Sequence, residues 1–235
     1  MMRLNKFLAQ SGIASRRKCD ELIAQGKINV NGKVATLGTQ VDEKKDKVTF
    51  EGNQLQINDN YIYLKMHKPK GFVCSANDEH GRKTVYDLLP KIESRVFTIG
   101  RLDYDTEGLL LFTNDGEMAE KLSHPRNEVK KIYVAKVNGK MKESELAVLR
   151  KGVVLENEVL PDAKVEILEV TKDYTRLQIT LDEGKNHQIK NMFNAINKEL
   201  LFLKRIQIGE IRLGGLGRGE TKALTEEEKN SLILL

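Results

Sequence analysis

Between residues 100 and 116 the chain runs Gly100-Arg101-Leu102-Asp103-Tyr104-Asp105-Thr106-Glu107-Gly108-Leu109-Leu110-Leu111-Phe112-Thr113-Asn114-Asp115-Gly116. One arginine and three carboxylates (Asp103, Asp105 and Glu107) crowd a short polar break between two apolar runs. Val96-Phe97-Thr98-Ile99 before it and Leu109-Leu110-Leu111-Phe112-Thr113 after it both read as β-strands. A carboxylate on a loop held between two core strands is placed to act as a nucleophile or a base. By residue type alone the three acids are equivalent, and each also fits a plain turn.

A second group of chemical residues lies between His187 and Asn197. Ile189, Met192, Phe193 and Ile196 recur at helical spacing and form a core stripe, while His187, Lys190, Asn191 and Asn194 form a polar stripe at the same spacing. Glu183-Gly184-Lys185-Asn186 in front of them reads as a loop. The polar stripe is either a solvent face or the wall of a cleft that binds phosphates or bases.

The elements that must position these groups follow the same patterns. Tyr61 to Met66 alternates as a strand, and His67-Lys68-Pro69-Lys70-Gly71 reads as the turn after it. A helix is expected over 116–122, a strand over 132–137, a helix over 144–151 closed by Gly152, and strands over 165–170 and 175–181. Thr225-Glu226-Glu227-Glu228 is a capping box that opens a terminal helix. Gly214-Gly215-Leu216-Gly217-Arg218-Gly219 lacks the Lys-Ser/Thr pair of a phosphate loop and reads as a flexible loop. Strands dominate and helices interrupt them without strict alternation, which predicts an α+β fold with a mainly antiparallel sheet.

The excess charge sits at one end. Of the 235 residues, 39 are Lys or Arg and 34 are Asp or Glu, and residues 1–50 hold ten of the former and five of the latter, so they carry the whole net charge of +5. Such a block is either a solvated face or a compact module for a polyanion. Leu4, Phe7 and Leu8 lie at helical spacing and Ser11-Gly12 ends that run. Ser15 is the expected N-cap of a second helix with Cys19, Leu22 and Ile23 on its apolar face and Gly26 closing it. Lys27-Ile28-Asn29-Val30 then meets Asn31-Gly32, a type I′ hairpin signal. Arg16-Arg17-Lys18 falls on the first turn of the second helix, where cations oppose the helix dipole at about 0.3–1 kcal/mol each when exposed. A phosphate bound there would reverse that sign, which favours the polyanion reading. Gly52 to Asn60 is polar and reads as a linker.

Composition excludes several classes. Hydrophobic residues at 40% and charged ones at 31% describe an ordinary globular chain. No apolar run approaches the roughly 18 residues of a membrane span, and no secretory apolar core is expected at the N-terminus. Cys19 and Cys74 are expected as free thiols in a reducing cytoplasm, with a disulfide as the alternative. His67, His80, His124 and His187 show no ligand spacing with cysteine, so no metal is expected.

The order of parts in residues 2–50 resembles the S4 RNA-binding domain. The matching segments are Arg3-Leu4-Asn5-Lys6-Phe7-Leu8, Gly12-Ile13-Ala14-Ser15-Arg16-Arg17 and Gly26-Lys27-Ile28-Asn29-Val30-Asn31-Gly32-Lys33. Three further segments resemble pseudouridine synthases of the bacterial ribosomal RNA branch. Gly100-Arg101-Leu102-Asp103 with its continuation to Gly116 is similar to the catalytic motif, Lys131-Ile132-Tyr133-Val134 to the tyrosine motif, and Gly184 to Phe193 to the third motif, from which Asn191 departs at an often basic position. The resemblance implies an S4-like domain over 1–58, then a catalytic domain over 59–235 with a mainly antiparallel mixed sheet and flanking helices.

It also implies a reaction. Uridine becomes pseudouridine when N1–C1′ breaks, the base turns over and C5 joins C1′, with all atoms retained, so no cofactor, metal or second substrate is expected. By resemblance Asp103 is the catalytic carboxylate, Tyr133 packs on the target base and Lys190 pairs with Asp103, leaving Asp105 and Glu107 to shape the turn. A stacked uridine hides its glycosidic bond, so the nucleotide must flip out. RNA contacts are expected from Arg3, Arg16, Arg17, Lys18, Lys27 and His187, with Arg101, Lys204 and Arg205 lining the cleft. The expected substrate is a uridine of 23S ribosomal RNA, free or in an assembling ribosomal particle. The alternatives are 16S ribosomal RNA or a non-catalytic S4-type assembly protein. A cytoplasmic monomer that binds neither membrane nor DNA is expected. A linked methyltransferase would need a Gly-rich nucleoside turn after a strand, which the sequence does not contain.

Overall fold

The computed structural model describes residues 1–233 apart from 58–59, 77, 156–158 and 186. The chain forms two compact units, one of Met1–Ile62 with Glu93–Val96 and Asn114–Gly116, the other of Tyr63–Ile92, Phe97–Thr113 and Glu117–Leu235. The expected domain boundary at 58/59, and Asn186 of the third motif, lie outside the described residues.

The first unit contains β1 (Met2–Arg3), α1 (Leu4–Gln10), α2 (Arg16–Ala24), β2 (Ile28–Val30), β3 (Lys33–Val34), β4 (Gln40–Val41), β5 (Val48–Phe50) and β6 (Asn53–Gln54). Leu4, Phe7, Leu8, Cys19, Ile23, Ile28, Val41 and Val48 form its apolar cluster, so the helical stripes read from the sequence face one core. The Ser15 hydroxyl accepts the Lys18 N–H at 3.3 Å, as its N-cap role requires. Asn31 and Gly32 both have positive φ, 51° and 77°, which is what a type I′ turn between β2 and β3 demands. The presumed linker differs from its expectation. Glu51 and Gly52 make a second turn with positive φ, β6 returns along β5, and Leu55 and Ile57 pack on the cluster. Apolar anchors after a tight turn outweigh the polar composition of this segment.

The elements that follow are β7 (Tyr63–Lys68), β8 (Phe97–Ile99), β9 (Glu107–Thr113), α3 (Gly116–Ser123), β10 (Lys131–Asn138), α4 (Glu143–Lys151), β11 (Val153–Val154), β12 (Val159–Leu160), β13 (Lys164–Val170), β14 (Tyr174–Leu181), α5 (Gln188–Ala195), β15 (Leu200–Ile208), β16 (Ile211–Arg212), β17 (Thr221–Ala223) and α6 (Glu226–Ile233). The main sheet runs in the order β13-β14-β10-β15-β9-β7-β17, with β16 on β15 and β8 on β9. Its pairings are antiparallel except β15 with β9, which run parallel through Lys204 opposite Glu107 and Arg205 opposite Gly108. The α+β reading therefore holds.

Two elements depart from the sequence reading. No element was expected over 200–208, yet β15 sits at the centre of the sheet between β10 and β9. β7 also extends through Lys68 instead of turning at His67, because the lysine is buried and fully hydrogen-bonded (below). Among the described residues no helix is long and apolar enough to cross a membrane.

Candidate active site

β8 and β9 deliver the polar break of residues 100–106 to the rim of the sheet, and its backbone is tied down from several directions. The Lys68 ammonium donates to the carbonyls of Pro69, Asp103 and Thr106 at 3.1, 2.9 and 2.8 Å, using all three of its N–H groups. The Thr106 N–H donates to the Asp103 carbonyl and Gly71 N–H to that of Tyr104. The Cys74 sulfur lies 3.4 Å from both the carbonyl and the N–H of Leu102. Arg205 donates from Nε to the Leu109 carbonyl at 2.8 Å and from Nη1 to that of Arg101 at 3.5 Å. Backbone groups so occupied hold the loop rigid and leave the Asp103 side chain free to face α5.

Lys68 is fully buried. Burial pushes its pKa down, opposed by the charges of Cys74, Asp103 and Asp105. The sequence reading placed it in a turn because Pro69 and Gly71 follow, and a lysine among turn residues carries no signal of burial. Replacing Lys68 with Met is expected to destabilise the protein by about 3 kcal/mol, since three carbonyls lose a charged donor in the interior. Urea unfolding checks this, and an unchanged midpoint would remove Lys68 from the support of the loop.

α5 and its N-cap bring the partners of Asp103. Its N-cap residue His187 sits in the left-handed region at φ 53°, which places its Nδ1 3.2 Å from Asp103 Oδ2. One turn on, Lys190 Nζ lies 2.8 Å from the same oxygen and also donates to Asp105 Oδ1. Burial alone would lower the Lys190 pKa, but hydrogen bonds and charge from the two aspartates outweigh it and hold the ammonium above its ordinary value. Burial likewise opposes ionisation of Asp105, and Lys190 nonetheless keeps that carboxyl below the usual range. The polar stripe of α5 is thus a site wall at His187 and Lys190, while Ile189, Met192 and Phe193 are buried.

A cavity of about 650 Å³ opens beside this cluster, walled by Gly100, Arg101, Asp103, Tyr133, His187, Lys190 and Arg205 with further side chains of α5, β10 and β15. Tyr133 is 8% exposed and packs in the apolar cluster with Leu102, Ile189 and Leu203, so its ring serves at once as core and as wall. The arrangement offers one partly exposed carboxylate, held near a cation, and an aromatic ring lining the same cavity. Such a group can attack or deprotonate a substrate of nucleobase size.

Two family models match the chain, one described as RNA pseudouridylate synthase over residues 62–195 and one as the S4 domain over residues 2–48. The chain belongs to the RNA pseudouridylate synthase family. It is 43% identical over 235 residues to the ribosomal large subunit pseudouridine synthase B of Bacillus subtilis (strain 168), covering 99% of this chain and 96% of that protein. It is 38% identical over 229 residues to an RNA pseudouridine synthase of Aquifex aeolicus (strain VF5), covering 97% and 92%. A crystal structure of a pseudouridylate synthase superposes with a TM-score of 0.72 at 31% identity over 99% of this chain and all of the other. The protein is an RNA-modifying isomerase with an S4 domain ahead of its synthase domain.

Within this pseudouridylate synthase three side chains and one loop differ from the expectation. Asp105 does more than shape the turn, since it shares Lys190 with Asp103. Glu107 is not a turn residue either. It opens β9, is 2% exposed, and receives Arg218 at 3.0 Å, with His67 Nε2 at 3.6 Å and Lys204 Nζ at 3.7 Å. Burial opposes its ionisation, but Arg218, Lys204 and His67 together hold it below the ordinary carboxylate range. Lys204 therefore faces Glu107 and does not line the Asp103 cavity, because alternation along β15 sends it to the face opposite Arg205. The glycine-rich loop is also pinned: His67 Nδ1 meets the Leu216 carbonyl at 2.8 Å, and Gly219 N–H donates to the His67 carbonyl. Arg101 and Arg205 do line the cavity. In the first unit Arg16, Arg17 and Lys18 open α2 as expected, and Lys18 pairs with Glu21 at 2.6 Å.

Proposed function

We propose that this pseudouridylate synthase isomerises a uridine of large-subunit (23S) ribosomal RNA, with Asp103 as its catalytic carboxylate. The observation that carries the assignment is the convergence of Lys190 and His187 on one Asp103 oxygen at the mouth of the cavity. The kinship with the Bacillus large-subunit enzyme over nearly the whole chain supports the choice of RNA. Asp103 assists cleavage of N1–C1′, Lys190 holds the carboxylate in place by an ion pair, and Tyr133 supplies a face on which the freed base turns before C5 bonds to C1′. The proton displaced from C5 leaves as N1 gains one, so the reaction balances without a second substrate. Incubation with ribosomal RNA tritiated at uridine C5, followed by mapping of the new pseudouridine, tests the proposal. Release of label from 23S RNA at one position is expected. Binding without release would leave a non-catalytic RNA-binding protein, and release from 16S RNA alone would overturn the choice of subunit.

The substrate in this reading is free ribosomal RNA or an assembling particle in the cytoplasm, and the enzyme works on it as a monomer. Arg3, Arg16, Arg17, Lys18 and Lys27 of the S4 domain grip backbone phosphates and set the register, while the synthase domain receives the flipped nucleotide. Arg16 and Arg17 are exposed beside the free N–H groups at the start of α2, where a phosphate is favoured by charge and dipole together. Changing both to Gln is expected to flatten the log–log salt dependence of RNA binding by roughly 0.7–0.9 per lost phosphate contact. An unaltered slope would show that this helix end does not touch the strand.

A further inference from the structure

Arg205 is 4% exposed, and a guanidinium in that position normally faces a carboxylate. Among the described residues it has none. Its partners are the neutral carbonyls of Leu109 and Arg101, the second at 3.5 Å, and its Nη2 is buried with no partner at all. Lys131, at the start of β10 two residues before Tyr133, lines the same cavity, and its ammonium has no hydrogen-bond or ion-pair partner among the described residues. Burial and the charge of Arg205 lower its pKa, against a weaker opposing pull from Asp182 and Glu183. Two partly desolvated cations lining one cavity, neither in an ion pair among the described residues, cost free energy that an anion between them would recover.

The position of the pair indicates which anion. The cavity lined by Asp103 and Tyr133 is lined by Arg205 and Lys131 as well. A base lying on Tyr133 beside Asp103 would therefore bring its own strand into the cavity that holds both cations. We propose that Lys131 and Arg205 form a binding site for one backbone phosphate of the RNA strand that carries the target uridine. This rests on the reading that RNA is the substrate. It adds a fixed point for the flipped strand inside the synthase domain, separate from the contacts of the S4 domain. Arg205 thereby offers its positive charge to the phosphate while its Nη1 braces the catalytic loop at the Arg101 carbonyl.

Binding, not turnover, tests the site. The probe is a ribosomal RNA fragment selected by its protection from nuclease, synthesised with a single uncharged methylphosphonate moved stepwise through its length. In wild type one linkage is expected to be sensitive in a way that depends on Lys131, its methylphosphonate weakening binding about tenfold. In Lys131→Met the same linkage becomes insensitive, the variant binds the unmodified fragment about tenfold more weakly, and its salt slope falls by about one contact. Lys131→Arg restores the sensitivity and controls for folding. Equal sensitivity of wild type and Lys131→Met at every linkage would overturn the proposal. A second arm adds inorganic phosphate at constant ionic strength to the unmodified fragment. Competition that disappears in Lys131→Met, without any Lys131-dependent linkage, would assign the pair to a free anion and equally overturn the strand contact. A protein that passes the binding test but releases no tritium from ribosomal RNA would retain this site while losing the proposed activity.

Discussion

Asp103→Asn is expected to bind ribosomal RNA as wild type does while turning over at least about 10⁴-fold more slowly, the scale seen when an essential catalytic group is removed. Asparagine has nearly the same shape, and its carbonyl oxygen can still accept from Lys190. It has no charge and cannot serve as a nucleophile or a base. The fold should tolerate the change, because the loop is held through backbone groups by Lys68, Cys74 and Arg205, none of which uses the Asp103 carboxylate. Lys190 also keeps Asp105 as an anionic partner. Tritium release from C5 of uridine measures turnover, and filter binding measures affinity. Activity within tenfold of wild type would remove Asp103 from the chemistry and move attention to Asp105.

Gly108→Ala is expected to cost about 4 kcal/mol or more, or to prevent folding of the synthase domain. Gly108 has φ +121°, a conformation that L side chains rarely adopt, and a Cβ there would overlap the backbone N, C and O of Arg205. The clash cannot relax by rotating a side chain, because the obstacle is the main chain of the strand paired in parallel with β9. Relief would require β9 and β15 to separate, and with them the loop that carries Asp103 and the Arg205 guanidinium that braces it. The two substitutions therefore have opposite signatures: Asp103→Asn loses activity with a native melting curve, whereas Gly108→Ala loses both together. A Gly108→Ala protein with wild-type stability would show that the two strands can part without cost.

The short-range features of the chain were legible in its residues. The caps at Ser15 and Thr225, the Asn31-Gly32 turn, the apolar stripe of α5 and most of the strands arise from neighbours a few residues apart, so local spacing encodes them. Resemblance picked Asp103 from among three acids, and Lys190 and His187 of α5 lie against it. What local spacing could not contain is which distant side chains meet. β15 went unread because its lysine, arginine and glutamine interrupt the apolar pattern, and only its place in the sheet shows that Lys204 faces buried Glu107 while Arg205 faces the cavity.

The opening cluster of one arginine and three acids divides in the same way. Residue type alone established that the chain carries a carboxylate-bearing loop between two core strands, and that its basic excess lies in the first fifth. Tertiary structure assigned each acid its partner: Asp103 and Asp105 share Lys190, and buried Glu107 pairs with exposed Arg218. It also turned Lys68 from a turn residue into the support of the loop, and set Arg205 and Lys131 in one cavity with neither in an ion pair among the described residues. The physical reason is range. Propensity, capping and alternation act over a few residues, whereas the charge state and contacts of a buried group depend on whatever the fold packs around it.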